Sequence, residues 1–289
     1  MKIIHSKLCC LIFFMLLTLI PKTIFCQEKL KMKRIDVTSD IEIYMTTEEE
    51  RIYPCNITVI RNGNEVMLID TAYEVEARLV AADLNQRGLT VTQVILSHGH
   101  ADHSDGFNVF KGAEYYCSAF YKNDINAKDP KMKQFKPERL LKEGDRLSFG
   151  KHAIRIWQST GHSASGLVII IDDSILHVGD LLFFSKDDKL CIPYIGGKID
   201  DHIEDLKRIR AFNPAIILPG HGKAINIKAD GFQAIDRILH YMEKFKAGDD
   251  NVRLEDCVLG DPAEYGFHQI HPINIRYHKS PQKNQKSKK

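Results

Sequence analysis

A chain of 289 residues with 44% apolar and 27% charged side chains lies in the ordinary globular range, which excludes a fibrous or wholly disordered protein and leaves room for one sizeable core. The formal charge is +2, but eight lysines sit in the first 26 and last 11 residues, and without them the body stands at −6. An acidic body speaks against a nucleic-acid groove, which needs a basic stripe to neutralise phosphates. Seven cysteines are present, three of them (Cys9, Cys10, Cys26) in the leading segment. Cys55, Cys117, Cys191 and Cys257 are widely spaced without a Cys-x-x-Cys pair, so they make no disulfide scaffold; export permits one or two bridges, and four buried thiols are the alternative.

Lys2 and Lys7 precede an apolar run from Leu8 to Ile20, too short to span a bilayer comfortably and shaped like the core of an export signal. Residues 1–26 are therefore expected to be a signal peptide cut near Cys26, giving a secreted or periplasmic protein with no stable membrane insertion after cleavage. Lipid attachment at Cys26 is disfavoured, because Thr23, Ile24 and Phe25 are not the small residues that processing prefers. One domain over 27–278 and a solvated, disordered Lys-rich tail over 279–289 complete the expected organisation.

Within the body, strands are predicted at Ile41–Met45, Asn56–Ile60 and Glu65–Ile69, the last two joined through an Asn-Gly turn. Val75, Leu79, Val80 and Leu84 then recur at helical spacing up to Gly88, and Val91–Leu96 reads as a buried strand. Residues 120–150 are Lys-rich and weakly patterned, and are expected to form a loop near the site. The grammar then repeats: strands at Ala153–Trp157, Leu167–Asp172 and Ile175–Val178, a helix carrying Ile203, Leu206, Ile209 and Phe212, a strand at Ala215–Leu218, and an amphipathic helix from Phe232 to Phe245. Two strand-rich halves, each with helices, point to an α+β protein with helices outside two packed sheets.

The chemistry gathers where the Val91–Leu96 strand stops, in Ser97-His98-Gly99-His100-Ala101-Asp102-His103. Four possible ligands within six residues suit two adjacent cations better than one, and imidazole with carboxylate is a donor set matched to zinc. Three further groups follow strands in the same way: His162 in Gly161-His162-Ser163, Asp180 in Gly179-Asp180-Leu181, and His221 in Gly220-His221-Gly222. A lone His at a strand end is more often a hydrogen-bonded structural residue, and a Gly-Asp pair is usually a turn; the ordered set carries the signal.

These residues resemble the metallo-β-lactamase superfamily, whose signature is His-x-His-x-Asp-His followed by a distant His, a distant Asp and a final His. The likeness runs from about Asn56 to Lys223 and fills every ligand position. It implies a four-layer αββα sandwich of the metallo-β-lactamase type with two Zn2+ per chain at one edge. By that pattern His98, His100 and His162 hold one zinc, Asp102, His103 and His221 the other, and Asp180 bridges them. Asp70 falls where the family has an aspartate that braces the metal loops; a plain turn residue is the alternative. The implied activity is that of a hydrolase whose metal-bridging hydroxide attacks an ester, thioester, lactone or amide carbonyl of a small-molecule substrate, with Asp102 as the catalytic residue accepting a proton as the leaving group departs.

Substrate is less legible, because one metal site serves many reactions in such a family. The glyoxalase II enzymes resemble this ligand set, but their basic glutathione-binding region has no visible counterpart here. The lactonases typically place a Tyr three residues after the bridging Asp, where this chain has Phe183. Exported β-lactamases are the alternative reading, although they lack an aspartate such as Asp180. An iron-dependent sulfur dioxygenase or a non-catalytic metal-binding module stands further off. Of the remaining histidines, His152, His177, His202, His240 and His278 fit no ligand position, whereas His268 and His271 are candidates for lining the pocket.

Overall fold

The computed structural model describes residues 30–48, 52–124, 130 and 134–279. The expected signal segment, and the expected tail beyond Lys279, lie outside the described residues. In chain order the elements are β1 (Leu30–Asp36), β2 (Ile41–Glu48), β3 (Cys55–Asn62), β4 (Glu65–Ile69), α1 (Glu74–Gln86), β5 (Thr90–Ile95), α2 (Ala101–Ser104), β6 (Glu114–Ser118), β7 (Arg139–Leu141), β8 (Arg146–Phe149), β9 (His152–Gln158), β10 (Leu167–Ile171), β11 (Ile175–Gly179) and β12 (Leu190–Cys191). They continue with α3 (Ile199–Phe212), β13 (Ile216–Pro219), β14 (Ile225–Asn226), α4 (Ile227–Asp230), α5 (Gln233–Ala247), α6 (Leu254–Cys257), β15 (Tyr265–Gly266) and α7 (Ile270–His278).

One sheet runs β1 to β7 in sequence order and the other is ordered β14-β13-β11-β10-β9-β8. Strand parity explains the layering, because successive side chains point to opposite faces. In β4, Met67 and Ile69 face the second sheet, whereas Val66 and Leu68 face α1. In β10, Leu167, Ile169 and Ile171 meet the first sheet, while Val168 and Ile170 pack under α3 and α5. Both faces of the central strands are thus dry, and these strands read as continuous apolar runs rather than as alternation. The result is an αββα sandwich of four layers, as the sequence predicts.

The strand and helix predictions agree with the structure to within a few residues, except at the periphery. The expected loop over 120–150 contains β7 and β8, whose short charged stretches bury only Leu141 and Phe149 between the sheets. β1 escapes prediction because it is an exposed edge strand rich in Lys and Arg. α7 escapes because its nine residues bury only Ile270, His271 and Asn274. Cys55, Cys117, Cys191 and Cys257 are buried thiols, and burial pushes both Cys117 and Cys191 up to about 12, so neither is primed to react. None of the described helices is long and apolar enough to cross a membrane.

Candidate metal centre

All seven predicted side chains converge at one edge of the sandwich. His98 follows β5, His100 immediately precedes α2, and Asp102 and His103 ride on α2. His162 lies in the turn between β9 and β10, Asp180 follows β11, and His221 follows β13. Each sheet therefore contributes ligands from its strand ends. The donor atoms fall into two groups, His98, His100, His162 and Asp180 in one and Asp102, His103 and His221 in the other, with the atoms of each group within 4.8 Å of one another. Asp180 stands between the groups: Oδ2 is 3.2 Å from His221 Nε2 and 3.6 Å from His162 Nε2, and Oδ1 is 3.3 Å from His103 Nε2.

The backs of the imidazoles are tied, which fixes which nitrogen faces inward. His162 Nδ1 donates to Tyr194 O at 3.0 Å and His221 Nδ1 to Pro54 O at 2.6 Å. His103 Nδ1 meets Asp70 Oδ2 at 2.8 Å, and His98 Nδ1 meets Ser97 Oγ at 3.1 Å. In all four rings Nε2 is left to point into the cluster. His100 instead turns Nδ1 inward, 3.1 Å from His162 Nε2.

Two buried carboxylates hold the loops that carry these rings. Asp70 is fully buried and adopts the left-handed backbone region at φ 67°, a conformation Asp tolerates better than most residues. It accepts from Ser97 N and Ser97 Oγ, each at 2.7 Å, as well as facing His103. The bracing role implied for Asp70 is therefore present in its contacts. Asp124 has no counterpart in the sequence reading: Oδ2 accepts from Gly99 N at 2.9 Å, Oδ1 accepts from Ser163 Oγ at 2.8 Å, and Ser165 Oγ also donates to it. It thus joins the His98–His100 segment to the residues after His162. Asn56 does similar work on the other side, donating Nδ2 to Pro219 O at 3.0 Å and Gly222 O at 2.7 Å.

Glycine is required at two positions, once by close approach and once by backbone conformation. A Cβ on Gly220 would lie 2.5 Å from Asp180 Oδ1 and 2.6 Å from His103 Cε1. Gly179 turns the chain at φ 51° to aim Asp180 inward.

The electrostatics suit a cation. Burial, reinforced by neighbouring histidines, drives His98 well below its ordinary value, and burial takes His162 down to about 3, so both rings are neutral donors. Burial opposes charge on His103 and His221 too, but the Asp180 carboxylate overrides it, raising His103 and holding His221 at about 10. His98 Nε2 is buried without a hydrogen-bond partner. Orphaned buried donors and acceptors are costly, and a cation coordinated by them removes the cost. Inward-facing imidazole nitrogens, the carboxylates of Asp102 and Asp180 and an orphaned buried nitrogen form a donor set that fits a divalent metal pair.

A cavity of about 410 Å³ opens onto the cluster, exposing His100, Asp102, His162, Asp180 and His221 to it. Phe183 is in its wall, its ring 5.5 Å from that of His221, and the hydroxyl that a Tyr there would bring is missing. The expectation for His268 and His271 is corrected: His268 is exposed outside the cavity, and His271 faces inward to Tyr241 Oη at 3.1 Å and Val252 O at 3.0 Å. The same segment contributes Phe267, Ile270, Ile273 and Tyr277 instead, because the helical turn of α7 rotates His271 into the core. His202, read as ordinary, buttresses the site by donating Nε2 to Leu181 O at 2.8 Å.

Comparisons with known proteins agree with this geometry. The chain is 25% identical over 166 residues to a hydroxyacylglutathione hydrolase from Actinobacillus pleuropneumoniae, an alignment spanning 57% of this chain and 64% of that one. It is 26% identical over 153 residues to a hydroxyacylglutathione hydrolase from Brucella canis, covering 53% and 54% of the two chains. The chain thus spans less than two thirds of these relatives. Among solved structures, a metallo-beta-lactamase from Pontibacter korlensis superposes with a TM-score of 0.57 at 15% identity, over 71% of this chain and 99% of that one. A flavoprotein from Thermotoga maritima gives 0.60 at 16%, over 75% and 62%. Residues 51–221 match the metallo-beta-lactamase superfamily as a whole; the chain belongs to that superfamily.

Proposed function

We propose that the protein is an exported dinuclear zinc hydrolase acting on the ester, thioester, lactone or amide carbonyl of a small molecule. The convergence of seven side chains into two donor groups around Asp180 carries the reading. His98, His100 and His162 would hold one cation, Asp102, His103 and His221 the other, and Asp180 would contact both. A divalent pair held by these residues would supply a water acidified toward neutrality and a polarised substrate carbonyl. The chain's part is positional. Asp70 and Asp124 fix the histidine loops, Tyr194 O and Pro54 O set ring orientation, and Asp102, 14% exposed at its side chain, is the carboxylate placed to take a proton and pass it to a leaving group. The charged, apolar leader from Lys2 to Ile20 supports export.

Asp102→Ala and His162→Ala are each expected to lower kcat/KM of the zinc-loaded protein for generic esters and thioesters by about 10²-fold or more while leaving the circular dichroism spectrum unchanged. Full activity in either variant would contradict the mechanism. Asp124→Ala is expected to weaken zinc binding about 10–100-fold, as loss of groups that orient ligands does; competition with a chromogenic chelator reads the change. The raised His103 and His221 carry protons at neutral pH in the metal-free protein, so ligation must expel them. Zinc affinity should accordingly climb from pH 6 to pH 9 by up to about tenfold per pH unit for each proton displaced, and calorimetry in buffers of different ionisation enthalpy should detect proton release.

A further inference from the structure

We infer that the cavity over the metal centre takes an uncharged acyl substrate whose far end is aryl or branched aliphatic, and discriminates against substrates that carry a carboxylate there. The inference deepens the hydrolase reading and rests on it for the reaction, though not for binding. One wall is a cluster of Tyr53, Phe183 and Phe267, whose rings meet edge to face at centroid distances of 5.4–5.9 Å. These mutual contacts hold the rings in place before any ligand arrives, so an apolar group entering here loses little to ordering the protein. α7 adds Ile270, Ile273 and Tyr277 to the lining.

Charge is what the walls withhold. No Lys or Arg lines the cavity among the described residues, and its only ionisable acids are Asp102 and Asp180. Lys223, two residues beyond His221, is turned away, with Nζ 5.2 Å from the Phe184 ring centroid, and Lys279 on the C-terminal side of α7 donates to Lys246 O and Gly248 O. A carboxylate remote from the reacting carbonyl would therefore meet aromatic rings with no Lys or Arg among the described residues to pair with. Glutathione thioesters carry two such carboxylates and β-lactams one. An apolar acyl group, by contrast, replaces water on surfaces that gain from losing it.

The test uses matched probes. The thioester S-ethyl 3-phenylpropanethioate and its 4-carboxyphenyl counterpart are assayed on the zinc-loaded protein, and the isosteric ketones 1-phenylhexan-3-one and its 4-carboxyphenyl counterpart, which cannot be hydrolysed, are titrated calorimetrically into the same protein. The neutral thioester should be turned over at least 100-fold faster in kcat/KM, and the neutral ketone should bind at least 10-fold tighter. Tyr277, 62% exposed at the rim, can be changed without disturbing the core, and Tyr277→Arg should narrow both gaps about 10-fold by supplying the missing cation. Equal handling of both probes, or preference for the carboxylates, would overturn the inference and leave the hydrolase reading intact. Selective binding of the neutral ketone with no turnover of either thioester would uphold the inference about the cavity and remove the hydrolase reading.

Discussion

A buried carboxylate at the end of β4 organises the rest of the site. Asp70 faces three donors from two segments, Ser97 N, Ser97 Oγ and His103 Nδ1, and is sealed from water. An unpartnered charge there would cost several kcal/mol, whereas hydrogen bonds to a charged group return roughly 1.5–3 kcal/mol each. The carboxylate is therefore stable only with Ser97 and His103 in place, and in that arrangement His98 and His103 both present Nε2 to the cluster. Fold stability and site geometry are coupled through one side chain.

The two sheets divide the remaining labour. The first delivers His98 to His103 from a single strand end, and the second delivers Asp180 and His221 from neighbouring parallel strands, with His162 in the turn from β9 to β10. Each donor group draws on both sheets, so the interlayer core that fuses them sets the distances within each group. Asp124 adds a polar link across the same seam, from Gly99 to Ser163 and Ser165. Preorganisation of this kind is what lets a metal site act without rebuilding itself at each turnover.

The layers and the seven converging residues were legible because they leave dense, local marks: apolar strands punctuated by Gly, and four donors packed into His98–His103. What stayed hidden lacks such marks. Asp124 sits in a Lys-rich stretch where nothing nearby signals that its partners are Gly99, Ser163 and Ser165. The α7 wall of the cavity is a nine-residue helix whose side chains matter for where tertiary packing puts them, so Tyr277 and Ile273 look like ordinary residues and His271, which looks functional, is core. Phe183 carries meaning in both views: a ring without a hydroxyl beside His221, continuous with Tyr53 and Phe267.

The central claim is that the seven side chains surround a pair of cations. A crystal of the zinc-loaded protein, with diffraction recorded on both sides of the zinc absorption edge, tests it most directly. Two anomalous peaks about 3.5–4 Å apart, one among His98, His100 and His162 and the other among Asp102, His103 and His221, with Asp180 reaching both, are the expected result. A single peak, or none within coordination distance of these side chains, would contradict the account.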